Sequence, residues 1–314
     1  MDLKFRVELN VLKHLGIGLY SSTPSVITEI IANAWDADAK NVNITLDPDH
    51  DVIIVNDDGH GMSESDIQDK FLAVGYSRRT RELNGDSSQG GSRKVMGRKG
   101  IGKLAMFSLA KEIEVVTKRS GETAIAFSLD VDALLEKAEK AHGTADYSVT
   151  EIPVPTDFTS DHGTRIKLTH LNNRINRTES YLRPRLARRF SVFSDQFVVK
   201  LNGTEIKRTD AGFHSDIQFL WAFDTPAKEL MTSLCGAIAT YGESTPPEKC
   251  IGFMDSDIHL KDDVFELTGY IASADKPAKL GKGDESLNKI SVFANGRLFQ
   301  EDILQELGDA RYFN

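Results

Sequence analysis

Cysteine is nearly absent: Cys235 and Cys250 are the only two in 314 residues. Two thiols with no partner motif exclude a disulfide framework and a cysteine-based zinc site, and suggest a reducing, cytosolic setting. Long apolar runs are also missing. Nothing reaches the roughly 18 residues that a membrane-spanning helix needs, so no membrane partner is expected. The opening MDLKFRVELNVLKHLG alternates charged and apolar residues and lacks the apolar core of a secretory signal. Positive charge is in deficit, with 38 Lys and Arg against 47 Asp and Glu, a net charge of −9. That balance argues against a surface that binds nucleic acid throughout. The basic residues that exist are clustered, as Arg78, Arg79 and Arg81, then Arg93, Lys94, Arg98, Lys99 and Lys103, then Arg183, Arg185, Arg188 and Arg189. Any of these clusters could be a solvated face. Glycine surrounds the first two, which favours an anion-binding role there.

The length allows two domains with substantial cores. Residues 25–39 read as a helix, with Ser25 as N-cap after Pro24. The β-rich runs NVNITL (41–46) and VIIVN (52–56) flank the polar turn DPDHD. Ser63 and Asp66 form a capping box that opens a helix over about 64–73. Residues 75–102 are rich in Gly, Ser and Arg and read as a long mobile loop, of a length that is usually functional or disordered. LAMFSLA (104–110) returns to helix. Strands follow at 112–118, 123–129, 147–154 and 163–171, interrupted by a helix at 132–141. Helices grouped early and strands grouped late predict an α+β domain over 1–174, with helices on one face of a largely antiparallel sheet. A second α/β unit is expected over 175–314. It opens with the basic helix 178–190 and a hairpin at 197–206 turning on Asn202-Gly203. Its later strands are 235–242, 264–273 and 289–299.

Within the first helix, Glu29 and Asn33 lie four residues apart and so share a face. Ile27, Ile30, Ile31 and Ala34 are its apolar remainder. A Glu can act as a base. A neutral amide oxygen can ligate Mg²⁺ without adding negative charge beside phosphate. Taken alone, the pair is also an ordinary solvated surface. Asp57-Asp58-Gly59-His60-Gly61-Met62 follows a strand. A carboxylate there can accept from the exocyclic amine of adenine, where guanine offers a carbonyl. Gly59 and Gly61 would let the backbone approach a flat base. An ordinary Asp-Gly turn has the same sequence. Gly97-Arg98-Lys99-Gly100-Ile101-Gly102-Lys103 leads into a helix, where free N–H groups and the helix dipole favour an anion and Lys103 adds charge. The spacing fits the start of a P-loop, but Leu104 stands where a P-loop needs Ser or Thr for Mg²⁺, and a buried strand is lacking before it. The metal would be held elsewhere, and Asn33 is available. Thr164 begins a strand and could contact a base edge beside Asp57.

Together and in this order the pieces resemble the GHKL superfamily, the ATPases that include DNA gyrase, the large heat-shock chaperone, histidine kinases, MutL and MORC proteins. TEIIANAWDADA resembles its N-box, VNDDGHGM its adenine box, GRKGIGKLA its glycine-rich lid end and HGTRIKL its later Gly-Thr strand. The resemblance implies a Bergerat ATP-binding fold with ATP and Mg²⁺ as ligands. It makes Glu29 the general base and Asn33 the Mg²⁺ ligand. Asp57 would read the adenine amine, with Gly59, Gly61 and Met62 beside the base. Gly97, Gly100, Ile101 and Gly102 would line the triphosphate, and Thr164 would close the adenine side. Lys103 matches no position shared across the family, so its phosphate role rests on charge and location. Asp36 and Asp38 are read as surface residues. LTGYIASADKP…KISVFANGRLFQEDI resembles the transducer domain of MutL-like members, with Asn295-Gly296-Arg297 in the matching strand. The catalytic Lys that such transducers carry further on has no counterpart before Asn314. A chain truncated at its C-terminal side, or a cation from elsewhere, would explain this. The expected activity is slow ATP hydrolysis that gates homodimerisation in a cytoplasmic protein. DNA, or a protein client, would be met through a region beyond this chain. A nucleotide sensor with negligible turnover and an ATP-driven chaperone are the alternatives.

Overall fold

Pro24 decides where the first helix begins. It occupies the first turn, where a missing N–H costs nothing, so the N-cap is Ser22 and not Ser25. Thr28 Oγ1 donates to the Pro24 carbonyl at 2.6 Å. The computed structural model describes residues 4–8, 22–73, 87–88, 90–91, 93–97, 102–140, 144–172, 178–235, 239–240, 250–253, 257–260, 263–266, 268–281 and 286–303. Most of the expected loop at 75–102, and with it Gly100 and Ile101, lies outside the described residues.

The chain divides into two compact units, 1–207 with 293–297, and 208–292 with 298–314. In the first, strand β1 (Lys4–Glu8) precedes helix α1 (Thr23–Asp36), β2 (Asn41–Asp47) and β3 (Val52–Asp57). Next come α2 (Glu64–Asp66), α3 (Ala105–Leu109), β4 (Ala110–Lys118), β5 (Ile125–Asp130) and α4 (Val131–Lys140). They are followed by β6 (Thr144–Ser148), β7 (Thr150–Glu151), β8 (Gly163–Leu171), α5 (Thr178–Ala187), β9 (Val198–Leu201) and β10 (Thr204–Glu205). Helix α5 and the β9–β10 hairpin, expected to open the second unit, thus lie in the first.

Eight strands form one sheet in the order β10-β9-β2-β3-β8-β4-β5-β7. Only β2–β9 is parallel. The run read as one strand over 147–154 is two, because β6 pairs with β1 and β7 with β5. One sheet face is apolar and buried through Ile44, Val55, Ile113, Val115, Phe127 and Leu168. Val26, Ile27, Ile30 and Ile31 of α1 are buried with them, each contributing about 1.5–3 kcal/mol of apolar burial. The opposite face carries polar pairs, such as Lys167 with Glu114 at 3.0 Å and Arg165 with Asn56 at 2.7 Å. The Ser63–Asp66 capping box forms as expected, but α2 is a single turn that widens into a π-helical turn at Ile67–Phe71.

The second unit has a four-stranded sheet built from Ile217–Ala222, Ala239–Thr240, Cys250–Phe253 and Tyr270–Ala274. A helix at Thr225–Cys235 packs Met231 and Cys235 against Ile217, Leu220 and Ala222. Cys235 is buried there. Residues 289–299, read as one strand, are a hairpin of Val292–Ala294 and Arg297–Gln300, of which 293–297 belong to the first unit. Asn295 and Gly296 turn it with φ of 52° and 81°, the pair of left-handed positions that a tight Asn-Gly turn requires. Among the described residues, no helix is long and apolar enough to cross a membrane.

Candidate functional site

Helix α1 sets the length of the site. Glu29 is buried on the core side, at 8% exposure, while Asn33 one turn later is exposed. One turn further, Ala37 meets the loop that follows β3: its carbonyl accepts from the His60 amide at 2.9 Å. A Cβ on Gly59 would lie 2.8 Å from the Ala37 Cβ, so only glycine lets this loop dock there. Glu29 and the C-cap Ala37 are eight positions apart along the helix, about 12 Å. The helix thus lines up a docked backbone loop, an exposed amide and a buried carboxylate.

At the loop end, Asp57 closes β3 directly opposite Thr164 of β8. Its Oδ1 accepts from the Gly59 amide at 2.8 Å. Burial pushes the Asp57 carboxyl up to about 6, against the pull of the Gly59 and Thr164 amides. Asp58 serves structure instead, accepting from the Lys40 and Asn41 amides at 2.7 Å each. Thr117, fully buried on β4, was not singled out in the sequence. Its Oγ1 accepts from the Met62 amide at 2.9 Å, donates to the Gly163 carbonyl at 3.1 Å and lies 3.1 Å from Thr164 Oγ1. Thr117 therefore ties Met62 to Thr164, the residue that Asp57 faces across the sheet. Gly61 and Gly163 are both at positive φ, and a Cβ on either would overlap a backbone carbonyl, of Lys118 and Asp57 respectively.

Asp36 and Asp38 are not solvated surface. Asp36 accepts from the amides of Met96 at 2.7 Å and Gly97 at 2.9 Å, and Asp38 accepts from Gly90 at 2.7 Å. Trp35 Nε1 donates to the Lys94 carbonyl. Arg93, expected to face an anion, has its guanidinium 4.3 Å from the Trp35 ring and donates to the Ala39 and Gln196 carbonyls. The end of α1 thus holds the segment that leads to the glycine-rich stretch. Asp36→Ala leaves two backbone donors without their acceptor, and is expected to cost about 1–3 kcal/mol. Thermal denaturation checks this; an unchanged midpoint would restore the solvated reading.

Gly97 and Gly102 both lie against α1, since a Cβ on Gly97 would come within 2.9 Å of Asp36 Oδ2 and one on Gly102 would overlap Glu29 Oε2. Lys103 Nζ donates to the carbonyls of Lys70 at 2.6 Å and Ala73 at 2.7 Å. It thereby caps the carbonyls left open by the π-turn. Burial lowers Lys103 to about 7. Arg183, part of the basic helix, spends its donors on Glu179 and on the Leu201 and Glu205 carbonyls. The residue least expected at the site is Arg297, whose Nη2 donates to Glu29 Oε1. Its motif was visible in the sequence, but its partner was not.

Residues 20–164 match the family described as histidine kinase-, DNA gyrase B- and HSP90-like ATPase. HgiDII of Herpetosiphon aurantiacus, provisionally named a type II restriction enzyme, is 33% identical over 311 residues, covering 96% of this chain and 46% of that protein. The chaperone protein HtpG of Sulfurovum sp. is 30% identical over 186 residues, 52% of this chain and 27% of its own length. HtpG of Mesorhizobium japonicum is 24% identical over 204 residues, 59% of this chain and 30% of its own. The chain therefore spans about half the length of HgiDII and a smaller share of the chaperones.

Proposed function

We propose, for a chain that belongs to the GHKL superfamily of ATPases, that it hydrolyses ATP with Mg²⁺ and that its nucleotide state gates a conformational change or homodimerisation in a larger DNA-acting protein. The observation that carries the DNA link is the extent of similarity. The alignment with HgiDII runs over 96% of the chain, whereas the HtpG alignments reach 52–59%. An ATP-driven chaperone is the weaker reading for that reason.

The site's features fit the nucleotide. Glycines at 59, 61 and 163 let the protein's own backbone pack closely around Asp57, and among the described residues Arg297 Nε is buried without a hydrogen-bond partner. Asp57 accepts the adenine amine, with Thr164 beside it and Gly59, Gly61 and Met62 against the base. Gly97, Gly100, Ile101 and Gly102 line the triphosphate, and Lys103 reaches it only by leaving the Lys70 and Ala73 carbonyls. Glu29 takes a proton from the attacking water. Asn33 offers an exposed amide oxygen for Mg²⁺, which usually takes one or two protein oxygens beside phosphates. The ion would stabilise charge that develops on the phosphates.

Turnover of ATP by the full-length protein, and its mass with and without a non-hydrolysable analogue, test the reading. Absence of hydrolysis with binding intact would favour a nucleotide sensor, a reading that the occupied Glu29 also supports. No mass change with nucleotide removes the dimer gate. Asp57 gives a pH dependence. The carboxylate is the stronger acceptor for an amine, so binding favours the ionised form and pulls its pKa down. Affinity for ADP should therefore be full above about pH 6 and fall as pH drops through that value. Calorimetry from about pH 5 to 8 reads this. The same step should be missing in Asp57→Asn, and a step of equal size in both would remove Asp57 as its source.

A further inference from the structure

The carboxylate assigned as base is held at one oxygen and crowded at the other. Arg297 Nη2 donates to Glu29 Oε1, and the other oxygen, Oε2, lies against Gly102. The two side chains are shielded, at 10% exposure for Glu29 and 18% for Arg297. A lone pair held by a guanidinium cannot at the same moment take a proton from water. The pair as described is a resting arrangement of the base.

Nothing local in the sequence produces this pairing, since the partners are 268 residues apart. The turn that carries Arg297 is docked by further contacts. Asn295 Nδ2 donates to the Val95 carbonyl at 2.8 Å, just before Gly97. The Ser191 amide donates to the Gly296 carbonyl at 2.8 Å, and Phe190 forms an antiparallel bridge with Arg297. Gly296 sits so close to Val192 that a Cβ would overlap its side chain. Meanwhile Arg297 Nε is buried and, among the described residues, has no hydrogen-bond partner. Such a donor is costly to leave unpaired. A guanidinium edge with one N–H engaged and the neighbouring N–H open suits a second anion, because its donors are arranged to grip two oxygens.

We propose that Arg297 is a releasable clamp on Glu29. In the resting protein it caps the base, and the phosphate chain of a bound nucleoside triphosphate draws the guanidinium away and frees the carboxylate. Arg297 is on this view a positioning residue that acts through Glu29, and the proposal rests on the reading of Glu29 as base. The residues on either side of the turn, up to 292 and from 298, belong to the second compact unit.

A double-mutant cycle of Glu29→Gln and Arg297→Gln, read as melting temperature in the full-length protein, tests the clamp. Without nucleotide the cycle should leave a residual of about 2–4 °C. With Mg²⁺ and a saturating non-hydrolysable ATP analogue, the residual should vanish. A residual that survives the analogue, or is absent without it, overturns the clamp. A purely structural ion pair would not respond to the analogue. Asn295→Ala loosens the turn and leaves both charges in place. Its turnover at ATP well below saturation should rise by about 3–10-fold, since less of the nucleotide's binding free energy goes into opening the clamp. Where the natural protein turns over, unchanged or lower turnover in Asn295→Ala overturns the clamp. No turnover in either, with a residual that the analogue removes, leaves the clamp standing and refutes hydrolysis.

Discussion

Glu29→Gln is expected to bind ATP within a few-fold of the natural protein and to lose about 10²–10⁴-fold of its turnover. Glutamine keeps the length of the side chain and an oxygen for the Arg297 guanidinium, but it cannot accept a proton from water. Glu29→Ala confuses the two effects. It leaves a shielded guanidinium unpaired, which costs about 3–5 kcal/mol when a partner is removed from a buried pair. The glutamine variant therefore separates chemistry from folding. Single-turnover hydrolysis beside calorimetric binding reads the split. A Glu29→Gln protein that hydrolyses at the natural rate removes Glu29 as base.

Asp57→Asn is expected to weaken nucleotide binding by about 10²-fold, as the loss of a hydrogen bond involving a charged group and a newly misaligned donor would do. The Gly59 and Thr164 amides both point at the Asp57 carboxyl. An asparagine has one acceptor oxygen for them, and its NH₂ then faces the adenine amine, donor against donor. Folding should suffer less than binding. Burial raises Asp57 above its ordinary value of 3.8 to about 6, so its ionisation opposes folding. That cost is absent below pH 3.8, grows as pH rises to about 6, and stays in full at neutral pH. A neutral asparagine does not incur it. Calorimetry with ADP and a melting curve at pH 7 give the two numbers. Binding that survives with natural affinity would dissociate Asp57 from the base-reading role.

Where chemistry is local, the sequence was readable. The strand Gly163–Leu171 has the predicted limits, and the Ser63–Asp66 box is formed. Both follow from short-range rules of alternation and capping. What escaped depends on partners distant in the chain. Asp36 and Asp38 look like any acidic residues after a helix, because the amides they hold belong to residues 52 to 61 positions later. Thr117 is indistinguishable from other β-branched strand residues until β8 is placed beside it. Arg297 was partly avoidable. Asn295-Gly296 between apolar runs is a hairpin signal, and reading it so would have replaced one strand with a tight turn. Its pairing with Glu29 still needed the fold.

The parallel pairing of β9 with β2 has a practical consequence for where this sheet ends. Residues 20–164 carry the family match, but they stop at the second residue of β8 and before β9. A chain cut there would lose the strand that pairs with both β3 and β4, and with β9 gone it would also leave residues 41–44 of β2 unpaired beside apolar surface that Phe197, Val199 and Leu201 otherwise seal. Open rims of this kind recruit other chains. The segment by which the family is recognised is thus shorter than the segment that completes the sheet.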